Sequence, residues 1–98
     1  MKTTYSLAVY QIALTYLPKV GPVKGKELAS LYPNLPDIFR LATYQPFAAE
    51  ALREAEKTVQ ICAEDQIQIL YFEDPEYPQR IKDVYDAPLI LFKKGKAD

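Results

Sequence analysis

The stretch DPEYPQRIKDVYDAPLILFKKGKAD, residues 74 to 98, decides how this chain is read. It opens with an acidic turn and the pair Tyr77-Pro78, continues as a short helical phrase, and ends in the apolar run LILF at 89–92, which Lys93-Lys94-Gly95 closes. Just upstream, IQILYF at 67–72 is rich in β-branched and aromatic residues and flanked by turn formers, which suits a strand. Between the two, Ile81, Val84 and Tyr85 share one helical face over 79–85. Asp86-Ala87-Pro88 then leads into a second strand whose unbroken apolar run fits cover on both faces. Strand, helix, strand predicts a parallel pair joined by a right-handed crossover. Two parallel strands bury little and expose both edges, so self-association through these orphan strands is expected.

Working back from that tail, residues 46–64 carry Ala48, Ala51, Leu52, Ala55, Val59 and Cys62 at three- and four-residue intervals, with charged residues on the other faces. This predicts a long amphipathic helix. Between Thr3 and Leu17, Thr4, Gln11 and Thr15 form one narrow polar stripe, and apolar residues fill the rest of the circumference, as in a helix buried on most sides. Pro18 and Gly21-Pro22 break it, and Pro22 suits the first turn of a second helix running to Leu31, which Gly25 weakens without forbidding. A short third helix is expected from Pro36 to Leu41. The expected fold is therefore mainly α with a small α/β tail: a helical domain over 1–64, then an incomplete β-α-β unit over 65–98.

At 98 residues there is room for one full core. No run approaches the ~18 apolar residues of a membrane span. The N-terminus has a basic residue before apolar ones, but Gln11 and Thr15 interrupt the run and no small-residue cleavage site follows, so a cytoplasmic protein is expected. A single cysteine and no histidine leave neither an internal disulfide nor the usual zinc ligand sets. The formal net charge of −1 supplies no global attraction for nucleic acid, so any such contact has to be local.

The local candidate is LTYLPKVGPVKGK at 14–26, a helix, a tight turn and a second helix, the outline of a helix-hairpin-helix. Its turn can present backbone amides to a phosphate, with Lys19, Gly21, Lys24 and Lys26 as candidate contacts. Such a hairpin prefers glycine on both sides of its apolar residue. Here the first position is Lys19, where positive φ would strain a side chain. The competing reading is a plain connector with solvated lysines.

Glu73, Asp74 and Glu76 around Pro75 could be imagined as a cation or acid/base site, but a turn after a strand is polar and proline-bearing in any case. Cys62 falls on an apolar helical face, where a thiol is inert. The aromatic residues Tyr5, Tyr10, Tyr16, Tyr32, Phe39 and Phe47 lie in or beside apolar stripes and are expected in the core rather than stacked on bases. No nucleophile has a recognisable base partner and no glycine-rich phosphate loop occurs, so no catalytic residue and no cofactor are expected.

The helical hairpin, the long helix, and the tail motif with Asp74, Tyr77, Pro78, Ile81, Pro88 and Gly95 at set spacing resemble the N-terminal part of the DprA/Smf family of DNA-processing proteins. The resemblance covers about residues 5 to 95. It implies a sterile-alpha-motif-like helical domain followed by the first β-α-β unit of a Rossmann-like domain. It also implies a non-enzymatic role in natural transformation: binding single-stranded DNA and helping to load a RecA-type recombinase. The family's DNA pocket and main dimer contact lie in the Rossmann core beyond the residues matched. Tyr77, Pro78 and Pro88 would then be structural, and this portion an accessory domain with weak DNA contact. The alternative is a protein-interaction module with no nucleic-acid role.

Overall fold

Ser6 begins the ordered helices: its Oγ accepts a hydrogen bond from the Val9 amide, capping α1 (Leu7–Ala13). The computed structural model describes residues 5–94, so residues 3 and 4 of the expected first helix, and Gly95 of the tail motif, lie outside the described residues. From Leu14 to Tyr16 the helix tightens into a 3₁₀ turn, where the Thr15 hydroxyl donates to the Ile12 carbonyl at 2.6 Å. Extended backbone at Leu17 and the following Pro18 end it.

Pro22 occupies the first position of α2 (Pro22–Leu31), as expected. The expected third helix is a 3₁₀ segment, Leu35–Arg40, which buries Leu35, Ile38 and Phe39. The long amphipathic helix is α3 (Gln45–Glu64), with Ala51, Ala55 and Cys62 buried along its apolar stripe. Small alanines at the contact let α3 lie close against α1, whose Ile12 and Ala13 are fully enclosed.

After Gln66, which takes a positive φ of 57°, the chain forms β1 (Ile67–Tyr71), a single helical turn α4 (Gln79–Lys82) and β2 (Ile90–Lys94). The two strands do pair, but antiparallel, with Ile67 opposite Lys94 and Tyr71 opposite Ile90. This corrects the expected parallel β-α-β unit. The physical reason is cover: a parallel pair is packed under a full-length crossover helix, and the single turn Gln79–Lys82 is too short to provide one, while the helices before β1 already cover a face of the sheet. The segment 72–89 is instead tied off at its base, where the Phe72 amide donates to the Leu89 carbonyl at 2.9 Å and the Tyr77 hydroxyl to the Pro88 carbonyl at 2.7 Å.

The helix expected over 79–85 stops at Lys82. Asp83 takes the Gln79 side-chain amide at 2.8 Å, and tight turns then set the Ala87 amide on the Val84 carbonyl. Pro88 disfavours helical backbone at Ala87. Val84 and Tyr85 are consequently exposed, Tyr85 by 83%. The expectation that LILF is covered on both faces also fails at its far end: Leu89 and Ile90 are buried, whereas Phe92 is 54% exposed.

The buried cluster runs through helices and strands alike. Ile12, Leu14 and Ile38 are its most enclosed large side chains, and Tyr71, Leu89 and Ile90 belong to the same cluster. The sheet face bearing Ile69, Tyr71 and Ile90 is thus covered by the helices of the same chain. Gly25 explains its own presence in α2: a Cβ there would sit 2.3 Å from Leu89 Cδ1, so the missing side chain is what lets the tail reach the helix.

Candidate functional site

The turn between α1 and α2 is built from two buried apolar anchors, Leu17 and Val20, with Lys19 between them at φ 63°. The Val20 amide closes the turn on the Leu17 carbonyl at 3.3 Å. A lysine in left-handed backbone costs about 1–2 kcal/mol, and burial of its two apolar neighbours is what holds it there. The strain expected at the first hairpin position is therefore present. Gly21 caps α2 with extended backbone (φ −89°) and nothing lies within 4 Å of where its Cβ would stand. No side chain caps that first turn, so the amide end of α2 is open.

Lys19 and Lys24 come together. With Pro18, Thr43, Tyr44 and Phe47 they line a hollow of about 410 Å³. Phe47 is 47% exposed there, against the expectation of a core aromatic: it lies at the margin of the α3 stripe that begins at Ala48, the one sequence signal that could have found it. Lys24 Nζ also lies 3.3 Å from Glu27 Oε1, an exposed pair of little strength. Lys26, two residues further along the helix, points elsewhere, its Nζ 5.8 Å from the centre of the Phe72 ring. Gly21 lines a separate small hollow with Pro88 and Leu89. Of the four residues proposed from sequence, two share a surface with an exposed aromatic ring and two do not.

A second and larger hollow, about 670 Å³, adjoins the first and shares Pro18 and Phe47 with it. Its charged members are Glu50 and Glu54, so the basic surface is bounded on that side by negative charge.

The acidic turn is structural in its geometry. Asp74 Oδ2 accepts the Tyr71 amide at 2.8 Å, the Asp74 amide donates back to the Tyr71 carbonyl, and Glu76 accepts from the Gln68 side chain. Among the described residues no three Cys, Asp or Glu side chains gather as a metal ion would need. Burial, then Asp65, pushes the Cys62 thiol up, away from a reactive thiolate. Tyr71 is buried with no partner for its hydroxyl among the described residues, and its pKa is pushed up to about 12 by burial first and then by Glu73 and Asp74. No described helix is long and apolar enough to cross a membrane.

No family model, curated protein or solved structure matches the chain.

Proposed function

We propose that this chain is a helical accessory portion of a DNA-processing protein of the DprA/Smf kind, which touches single-stranded nucleic acid weakly through the basic hollow at its hairpin. The observation that carries the reading is the shared surface of Lys19, Lys24 and the exposed Phe47 ring. Two ammonium groups can hold successive phosphates while a base stacks on the ring that shares their hollow, a sequence-tolerant mode. The net charge of −1 and the acidic hollow next door keep the contact short. The resemblance rests on the tail motif and the helical hairpin, not on the strand pairing, which is antiparallel. A sterile-alpha-motif-like arrangement of the helices, a RecA-type recombinase as partner of the whole protein, and the absence of catalysis all belong to this proposal.

Anisotropy of a labelled oligothymidine tests it. Binding should lie in the 10⁻⁴–10⁻⁶ M range typical of sequence-independent contact, with a log–log salt slope of about −1.4 for two phosphates neutralised on a single strand. Lys19→Ala with Lys24→Ala should abolish the salt dependence, Phe47→Ala should weaken binding by about 1–3 kcal/mol, and Lys26→Ala should leave it unchanged. Equal losses from Lys26→Ala and from the double variant would remove the hairpin from the interface. The acidic hollow favours a second reading, a surface for a protein partner, in which charge reversal at the lysines leaves the interaction intact.

A further inference from the structure

We infer that the acidic hollow beside the hairpin is a docking site for an arginine side chain presented by a segment of a partner protein. The cavity, about 670 Å³, has room for one long side chain and the backbone on either side of it. Its walls are largely aromatic: Tyr16 and Phe47 are 45% and 47% exposed, and Pro18 and Pro46 line the hollow with them. Tyr16 does not swing freely, because its hydroxyl shares a 2.8 Å hydrogen bond with Thr58 Oγ1 on α3. The ring is therefore in place before a ligand arrives, which lowers the ordering cost of binding.

Glu50 and Glu54 lie one helical turn apart on α3 and both line the hollow. Both carboxylates are exposed, so an apolar side chain filling the space would leave their charge unused, and a phosphate would meet them as like charges. A guanidinium satisfies every wall at once. Its plane stacks on an aromatic face while its fork of N–H donors reaches a carboxylate, which the compact ammonium of lysine does less well. Among the described residues the ion pair made by a carboxylate of this hollow is that of Glu54, whose Oε2 lies 3.2 Å from Lys57 Nζ. Both partners are about half exposed or more, so an incoming arginine displaces little. Glu50 has no ion-pair partner among the described residues. Because Phe47 and Pro18 also line the basic hollow, the arginine and a nucleobase would compete for the same ring.

The test uses the full chain, ¹⁵N-labelled, titrated with acetyl-arginine methylamide and, in parallel, with the neutral isostere acetyl-citrulline methylamide. Saturable shifts centred on the Phe47 and Glu50 amides should appear with the arginine derivative and not with the citrulline one. Glu50→Gln with Glu54→Gln should weaken the response about tenfold, which is roughly the loss of two exposed charge contacts. Lys19→Ala with Lys24→Ala should leave it intact, so failure here is separable from failure of the nucleic-acid reading. An equal response to citrulline, shifts spread over all surface carboxylates, or an unchanged response in the Glu50/Glu54 double variant would overturn the inference. So would concentration-dependent shifts at the same residues without ligand, which would put a second copy of the chain in the hollow.

Discussion

Lys19 and Gly25 sit six positions apart and make opposite departures from what local preference would choose. Lys19 holds a side chain where the backbone favours glycine, φ 63°, and it is exposed, so its side chain contributes no packing to offset that strain. Lys19→Gly should raise stability by about 1 kcal/mol in urea unfolding while removing one of the two proposed phosphate contacts; a loss of stability would mean that the turn does not need left-handed backbone. Gly25 is the reverse, a flexible residue inside a helix. Its replacement by alanine recovers about 1 kcal/mol of helix propensity, but the new methyl meets Cγ and both methyl carbons of the buried Leu89 side chain at 2.3 to 3.3 Å. Overpacking of that kind costs about 1–3 kcal/mol, so Gly25→Ala should destabilise the protein. In a double-mutant cycle with Leu89→Ala the two changes should couple favourably, and simple additivity would place the contact elsewhere. The strain at Lys19 was legible because the hairpin pattern names the position. The need for Gly25 was not, since it depends on a leucine sixty-four residues further along the chain.

The helices were readable because each is announced by local chemistry: Pro22 at the first position of α2, and alternating three- and four-residue apolar spacing through α3. Both strands were readable from composition, but their relative direction was not. An apolar run gives no sense of which way its neighbour points. The deciding facts were the length of α4, cut to one turn before Pro88, and the Tyr77 hydroxyl reaching the Pro88 carbonyl across the mouth of 72–89. Tyr77→Phe isolates that bond. It should cost about 0.5–1.5 kcal/mol and speed hydrogen exchange at the Phe72 amide, which bonds the neighbouring Leu89 carbonyl. Unchanged exchange there would show that the strand pairing alone closes the segment. The basic hollow was half legible: its lysines follow from the hairpin, whereas Phe47 and Tyr44 arrive from a different part of the chain.

One cluster of buried side chains spans helices and strands, and it encloses a phenol, that of Tyr71, with no hydrogen-bond partner among the described residues. Burial holds its pKa at about 12, above the ordinary value of 10, and shifts Tyr77 in the same direction. Below pH 10 both folded and unfolded chains keep the Tyr71 proton and the stability it brings is complete. Between about 10 and 12 the unfolded chain ionises first, so stability falls as pH rises through the folded value. Urea midpoints should therefore drop from pH 9 to pH 11, and Tyr71→Phe should flatten the drop while leaving neutral-pH stability equal or higher, because the hydroxyl it removes was unpaired. An identical alkaline slope in the variant would assign the drop to other groups. The meeting of Gly25 with Leu89 reaches further than packing. Gly25 directly follows Lys24, so the strand entry at Leu89 presses on the same helical turn that faces the basic hollow. Any coupling through that turn is reciprocal: a ligand in the hollow that holds the carboxyl-terminal strand down would be released, by the same factor, when the strand lifts.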